Sequence, residues 1–439
     1  MKAHIDNAII TIVDDQSPEE IAMVQALNSR SSGGYLVNHA KVLKQGFENF
    51  MKGTYVGYGH KSIGDCGTTT ICADGISMLC AKAIQDWFLY SGQETSTRFI
   101  DVSGLGFIDP VNTAASQAIM NAWFDFYLNE NKSLIVHLKK LRPLREGEDE
   151  GKYEKTIEKR ALDVLRSFLP AGAKTNASWH TNLRQAADHL ALMNYHPADE
   201  IRIVAKKMLA GLVGKYPNSF SHKSYPETER YREEIMSKHN YFNPDSFSNF
   251  SFAVNFLKRD IIDEFCWAIE NRPEKTELPK IVNEAGSFTF DFLLDFGSYR
   301  DWQRHRSALQ RMPLLTEKFG FGQWYLNQMP NDMKVRATTL IKKQVTAVEK
   351  LGVSEETRQY YLAMGFQVPC RSTVSISDIV YIVELRSDTT VHPTVREKAH
   401  KIYDVVNAQI PGLIKYANLT KDDFDLKRAD QDITQRESV

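Results

Sequence analysis

Cysteine, long apolar runs and an excess of charge of either sign are all scarce in this 439-residue sequence. The five cysteines, Cys66, Cys72, Cys80, Cys266 and Cys370, are odd in number and lack the CxxC spacing of zinc or redox centres. They read as buried reduced thiols rather than disulfides or metal ligands. Twelve histidines are scattered without HExxH or a comparable cluster, so no metal is expected. No apolar run approaches the ~20 residues that span a bilayer. The opening MKAHIDNAIITIVDDQSPEE has neither a signal-peptide core nor an Arg-rich transit pattern, which makes a cytoplasmic protein the expectation. Lys and Arg number 54 against 55 Asp and Glu, a net charge of -1. That excludes a global pull toward nucleic acid or an anionic membrane, so any anion site must be local.

What is present is ordinary globular composition, 42% hydrophobic and 25% charged, long enough for two or three domains. IDNAIITIVD (5–14) reads as a strand, and Ser17-Pro18-Glu19-Glu20 as a capped helix start. TTTICADGIS is β-prone, and MLCAKAIQDWFLYSG continues at helical spacing. Residues 113–141 read as helical, RPLREGEDEGKYEK as a charged, mobile connection, and 156–168 as helix again. NLRQAADHLALM and ADEIRIVAKKMLAGLV carry helical periodicity.

A polar, aliphatic-poor stretch near 216–248 reads as a junction. After it the rhythm recurs: β-prone GSFTFDFLLDFGS, helical YRDWQRHRSALQRM, then a Pro-interrupted helix pair, ETRQYYLAMGFQVP and SDIVYIVELR. The two halves match at Gly67/Gly286, Thr70/Thr289, Gly75/Gly297 and HPADEIR/HPTVR, which reads as a degenerate internal repeat, the alternative being two unrelated α+β domains of similar rhythm. The expected organisation is a first repeat over 1–222, a linker over 223–248, a second repeat over 249–425 and a polar tail over 426–439. The expected fold class is α+β, two tandem repeats that each pack a mixed or antiparallel sheet with helices.

Three stretches could carry chemistry. SGQETSTRF places Glu94, Ser96 and Arg98 at alternate positions, which in extended chain would face one side. An arginine fork with a hydroxyl suits phosphate, although a surface Arg–Glu pair explains the stretch equally. RSFLPAGAKTNASWHTNLR adds Arg166, Asn182 and Arg184, with Asn182 also a natural helix N-cap. Arg304-His305-Arg306 would by itself be a solvated helix end.

Together these stretches resemble the flavin-dependent thymidylate synthases, whose signature reads R-H-R-x-x-S-x-N-E-x-S-x-R-Y. In the first half GHKSIGDC (59–66) is similar to the family's leading G-H-x-S motif, with Asp65 for Glu. DWFLYSGQETSTRF keeps Ser91, Glu94, Ser96 and Arg98, and 166–184 keeps Arg166, Leu169, Pro170, Thr175, Trp179, Asn182 and Arg184. The family's RHR is here Asp86-Trp87-Phe88, and the arginine of its L-R pair is Met193. The second half supplies both as Arg304-His305-Arg306 and Arg386, while lacking the motif residues that the first half keeps. The losses are complementary, so the resemblance implies one composite site between the two repeats.

The resemblance implies reductive methylation of dUMP to dTMP by a methyltransferase that uses methylenetetrahydrofolate as one-carbon donor, FAD, and NADPH as reductant. Arg304, His305 and Arg306 would hold the flavin and its phosphates, with Asn182 and Arg184 in contact with it. Arg386 would stabilise negative charge on the pyrimidine, the catalytic set being Arg386, Arg304 and Glu94. Ser96, Arg98 and Arg166 would grip the dUMP phosphate, Glu94 would position the nucleotide, and His60 would border the folate or nicotinamide opening. A homodimer of two-repeat chains would rebuild the family's tetramer. A flavoenzyme acting on another pyrimidine nucleotide, or a non-catalytic nucleotide-binding paralogue, fits the same residues.

Overall fold

The structure is a computed structural model that describes residues 16–29, 31–32, 34–48, 51–52, 61–98, 103–221, 223–421 and 424. The strand expected over 5–14, His60 and the tail beyond 424 lie outside the described residues. In chain order the elements are α1 (Pro18–Asn28), α2 (Gly34–Gln45), β1 (Thr68–Ser77), α3 (Met78–Gln85), α4 (Ala114–Asn129), α5 (Asn131–Leu141), α6 (Glu150–Leu165), β2 (Lys174–Asn182), α7 (Leu183–Met193), α8 (Asp199–Lys215) and α9 (Pro226–His239). There follow β3 (Phe250–Leu257), α10 (Arg259–Glu264), α11 (Cys266–Glu270), β4 (Gly286–Asp295), α12 (Phe296–Trp302), β5 (Leu309–Gln310), α13 (Gln323–Asn327), α14 (Asn331–Glu349), α15 (Glu355–Arg358), β6 (Gln367–Ser375), α16 (Ile376–Arg386) and α17 (Pro393–Gln409). This is an α+β protein with a two-stranded sheet, β1-β2, and a four-stranded sheet in the order β3-β4-β6-β5.

The described residues form two compact units. One draws on the described residues within Met1–Ala73, Leu89–Gln93 and Ser178–Lys238, and the other on those within Asp74–Phe88, Glu94–Ala177 and His239–Val439. In the first unit Ser17 caps α1 by accepting from the Glu20 amide at 3.2 Å, as its sequence foretells. Glu19 is buried, where it accepts hydrogen bonds from Asn218 (3.1 Å) and Ser219. Asn182 ends β2 and caps α7, accepting from the Gln185 amide at 2.8 Å.

In the second unit β4 pairs antiparallel with β3 on one side and β6 on the other. Alternation sends Phe288, Phe290 and Phe292 into the core. The other face carries polar cross-strand pairs: Thr289 with Thr373 at 2.9 Å, and Asp291 with both ends of the Arg371 fork at 2.7 and 2.6 Å. Trp302 packs edge-on against Phe292 at 5.0 Å, and Trp123, Phe168, Tyr325, Tyr360 and Tyr361 are also buried in this unit.

The recurrence of element lengths is plain. A ten-residue strand precedes a helix in β1-α3 and β4-α12. A three-residue 3-10 turn, a nine-residue strand, an 11-residue helix and a 17-residue helix follow each other at 166–215 and again at 359–409. Hydrogen bonds repeat with them. Met78 and Leu79 donate to the carbonyls of Ala173 and Ala171 at 3.0 and 3.3 Å, as Phe296 and Gly297 donate to Phe366 and Met364 at 3.0 and 2.9 Å. The two lengths also pair reciprocally: Ala171 and Gly172 donate to Leu362 and Tyr360 (both 2.9 Å), while Met364 and Gly365 donate to Leu169 and Ser167 at 2.9 and 2.7 Å.

Several sequence expectations are corrected here. Gly75 and Gly297 are not equivalent: Gly75 sits inside β1 at φ +69°, whereas Gly297 lies in the first turn of α12. The helix expected over 299–312 stops at Trp302, and the Arg304-His305-Arg306 run occupies the loop before β5. ETRQYYLAMGFQVP is not a helix but a short helix, a 3-10 turn and the start of β6. Helix α6 begins inside the supposed mobile connection, which Arg142 further orders by donating to Glu148. All five cysteines are free, but Cys72 and Cys266 are exposed rather than buried. The polar junction carries a helix, α9.

Candidate functional site

The second unit brings first-half and second-half residues to one cleft of about 660 Å³. Its lining includes Arg98 from the turn after Glu94, Tyr381, Glu384 and Arg386 from α16, and Thr390 and Asp388 from the loop that follows. Arg386 is the last residue of α16 because Ser387 caps the helix, so its guanidinium leaves the helix C-terminus toward the cleft. A cation is favoured at that end of a helix.

Arg98 is held by a bidentate pair with Asp163 of α6, Nε–Oδ1 2.8 Å and Nη2–Oδ2 3.1 Å, and its Nη1 donates to the Thr390 carbonyl at 3.3 Å. Ser96 lies beside it, its hydroxyl accepting the Arg98 amide at 3.3 Å. Arg166 is buried and donates from Nη2 to the Ser298 hydroxyl at 3.2 Å, while its Nε has no hydrogen-bond partner among the described residues. Burial opposes its charge, but Tyr325 and the carboxylates of Asp163, Asp301 and Asp295 outweigh it and raise its pKa.

Asp301 shows the electrostatic character of the place. Burial works against its charge, yet Arg166, Arg386, Arg98 and Arg304 together hold it well below the usual carboxylate range. Four guanidinium groups, two from each half of the sequence, therefore act on a single carboxylate. Asp163 and Asp295 also act on Arg166, so four cations face three carboxylates and the balance left over favours a further anion.

Arg304 and Arg306 are exposed, and His305 between them is buried. Its Nε2 accepts from Arg386 Nε at 2.7 Å, and Arg386 Nη2 donates to the Asp301 carbonyl at 2.7 Å. Burial, then the neighbouring Arg386 cation, pushes the His305 pKa well below its ordinary value, against the opposing pull of Asp301. Burial likewise lowers Arg386.

Glu94 does not share a face with Arg98. It is buried, with Lys82 Nζ at 3.0 Å, Gln85 Nε2 at 2.9 Å and the Arg300 guanidinium on its other oxygen. Burial would raise its pKa, but the two cations prevail and hold it at about 2. Lys82 has one carboxylate and a second cation for company, so burial lowers it to about 8. Sequence reading missed Lys82, Arg300 and Asp163. The signal for Asp163 was a lone acid in the apolar run RALDVLRSFL; Lys82 and Arg300 are single cations in the last turns of two short, buried helices.

Asn182 and Arg184 belong to the other unit. Asn182 is the α7 cap already described, and Arg184 Nε meets Asp65 at 2.7 Å. His60 lies outside the described residues. Among the described residues no cluster of His, Cys, Asp and Glu is arranged to hold a metal, and no helix is long and apolar enough to cross a membrane.

Comparison with known proteins adds two findings. Residues 11–218 match the family profile described as thymidylate synthase complementing protein. Over most of its length the chain is also similar to three relatives named only as UPF0159 proteins. That of Chlamydia pneumoniae is 25% identical, covering 86% of this chain and 81% of the relative. That of Chlamydia muridarum is 26% identical over 78% and 75%, and that of Thermoplasma acidophilum 22% identical over 84% and 89%.

Proposed function

We propose that the protein is a flavin-dependent thymidylate synthase-like enzyme that converts dUMP to dTMP at one composite site built from both halves of the chain. The observation that carries this is the cleft where Arg98 and Arg386 meet, with Asp301 under the field of four arginines. The first-half match to the thymidylate synthase complementing profile supports the same reading. So does the reciprocal pairing of 167–172 with 360–365, which is what two fused copies of one unit would make.

In this reading Arg98, Ser96 and Arg166 bind the nucleotide phosphate. Asp163 orients the Arg98 fork, whose planar donors suit a phosphate in bidentate fashion. Arg386 faces the pyrimidine and stabilises the negative charge that develops on it, a task for a fixed cation in a poorly hydrated place. Glu94, already neutralised by Lys82 and Arg300, holds the 94–98 segment that presents Arg98. The exposed pair Arg304 and Arg306 suits the phosphates of a dinucleotide cofactor, and FAD, reduced by NADPH, would supply the hydride when bound. Methylenetetrahydrofolate would be the carbon donor, and two chains would associate as a homodimer that stands in for a tetramer of single units.

The test is spectroscopic and then kinetic. Protein incubated with FAD and desalted is expected to retain the visible bands of an oxidised flavin, and to oxidise NADPH faster when dUMP is added. Folded protein that retains no flavin but binds dUMP would be a nucleotide-binding paralogue instead; binding neither would end the proposal.

A further inference from the structure

Resting on the site just proposed, we infer that His305 is a positioning residue for Arg386: as a neutral imidazole it accepts the Arg386 Nε–H and fixes the guanidinium in the cleft. The resemblance assigns His305 to the flavin. The geometry gives its Nε2 a different partner.

Three observations combine. The hydrogen bond is short and charge-assisted, 2.7 Å from a guanidinium, and a second bond of 2.7 Å joins Arg386 Nη2 to the Asp301 carbonyl. Two of the three guanidinium nitrogens are thus anchored within the described residues, which leaves Nη1 as the unanchored end of a side chain that lines the cleft. The imidazole itself is immobilised. Its backbone amide donates to the Trp302 carbonyl at 3.1 Å, and its own carbonyl accepts from Ala308 at 3.1 Å and Gln310 at 2.9 Å. Its ring packs edge-on between Trp302 at 5.5 Å and Tyr381 at 6.3 Å, and Trp302 is pinned by donating to Ser372 at 2.8 Å.

An acceptor nitrogen requires the neutral ring with its proton on Nδ1, because an imidazolium has no acceptor. The groups that face the ring are Arg386 and Tyr381 from α16 and Asp301 from α12, with Arg304 and Arg306 flanking it in the loop. Burial and the Arg386 cation both disfavour a second proton, and Asp301 alone opposes them. Without the histidine, a long flexible side chain would keep one anchor only and sample other rotamers.

The intact protein with ¹⁵N-labelled histidine reports this directly. Nε2 of His305, identified by its loss in His305→Gln, should show the unprotonated shift, and the neutral Nδ1–H tautomer should persist from about pH 5.5 to 8.5, a range in which an ordinary histidine titrates. A protonated Nε2, or titration of His305 inside that range, overturns the inference whether or not the chain binds flavin or dUMP. In turnover, His305→Gln keeps an acceptor within reach and should stay within about threefold of the parent, whereas His305→Leu should lose about ten- to hundredfold in kcat with dUMP KM less affected. Equal losses in the two variants would also overturn it. Absence of any dUMP-dependent reaction would instead remove the proposed function, leaving the tautomer to decide the role of His305.

Discussion

Among individual residues, Glu94 departs furthest from what its sequence neighbourhood implies. It sits two positions before Ser96 and four before Arg98, yet it points into the core between Lys82 and Arg300. A buried carboxylate with two cations and an amide donor stabilises only as a set, because removing its charge strands the cations. Glu94→Gln, nearly the same shape, should therefore lower the urea-unfolding free energy at pH 7 by about 3–5 kcal/mol. The pH dependence follows from the depressed carboxyl. A group that titrates at about 2 when folded and 4.5 otherwise contributes its full stability above about pH 4.5 and loses it as the pH falls toward 2. The gap between parent and Glu94→Gln should thus narrow over that acid range. A gap that stayed constant from pH 6 down to pH 3 (roughly the range over which a carboxyl titrates) would mean that the loss comes from packing and not from charge.

At the scale of elements, what was legible followed from patterns local to the chain. The Ser17 cap, the alternation of Phe288, Phe290 and Phe292, and the helices α7, α8 and α16 all have signals within one or two turns of sequence. What was not legible depends on partners far along the chain. The 356–369 stretch carries apolar residues at helical spacing, but its backbone is claimed by Ser167, Leu169 and Ala171 almost 200 residues earlier, and that pairing wins over local propensity. After α12 the Arg304–Arg306 run turns on local hydrogen bonds, and only Leu309 and Gln310 beyond it pair with β6. For the site, Arg98 and Arg166 stood out by residue type and Arg386 came from the resemblance alone, while Asp163 and Lys82 became visible only once the helices bearing them were packed. The reciprocal pairing makes its own demand on glycine. A Cβ on Gly172 would meet the carbonyl oxygens of Tyr360 at 2.7 Å and Ile108 at 2.9 Å, which are backbone atoms and cannot step aside. Gly172→Ala should cost about 1–3 kcal/mol. Gly211→Ala, in open space on α8, should instead be neutral or gain up to about 1 kcal/mol from helix propensity. Chemical denaturation of the two variants side by side reads the contrast, and a Gly172→Ala protein as stable as the parent would show that the pairing is looser than drawn.

On the scale of the whole molecule the question is whether one chain contains a complete site. Arg98 lies in the first half of the sequence and Arg386 in the second, and the long separation would permit either an arrangement within one chain or an exchange between two. We propose the first: both side chains line one cleft within a single compact unit, and Arg98 donates to the carbonyl of Thr390, four residues beyond Arg386. This makes a prediction that sequence complementarity alone would not. Suppose Arg98→Ala and Arg386→Ala chains are each prepared, shown to be folded, and each found to have lost dUMP-dependent turnover. Mixed under conditions that exchange subunits, they should remain inactive, because every chain carries one lesion in its own cleft. If instead each site drew Arg98 from one chain and Arg386 from its partner, half of the mixed dimers' sites would be free of both lesions. At equal mixing half of the dimers are hybrid, so about a quarter of the parental activity should return, by the statistics of closed twofold assemblies. Recovery near that level would place the site between chains. No recovery, with exchange verified by mass-tagged subunits, would place it within one.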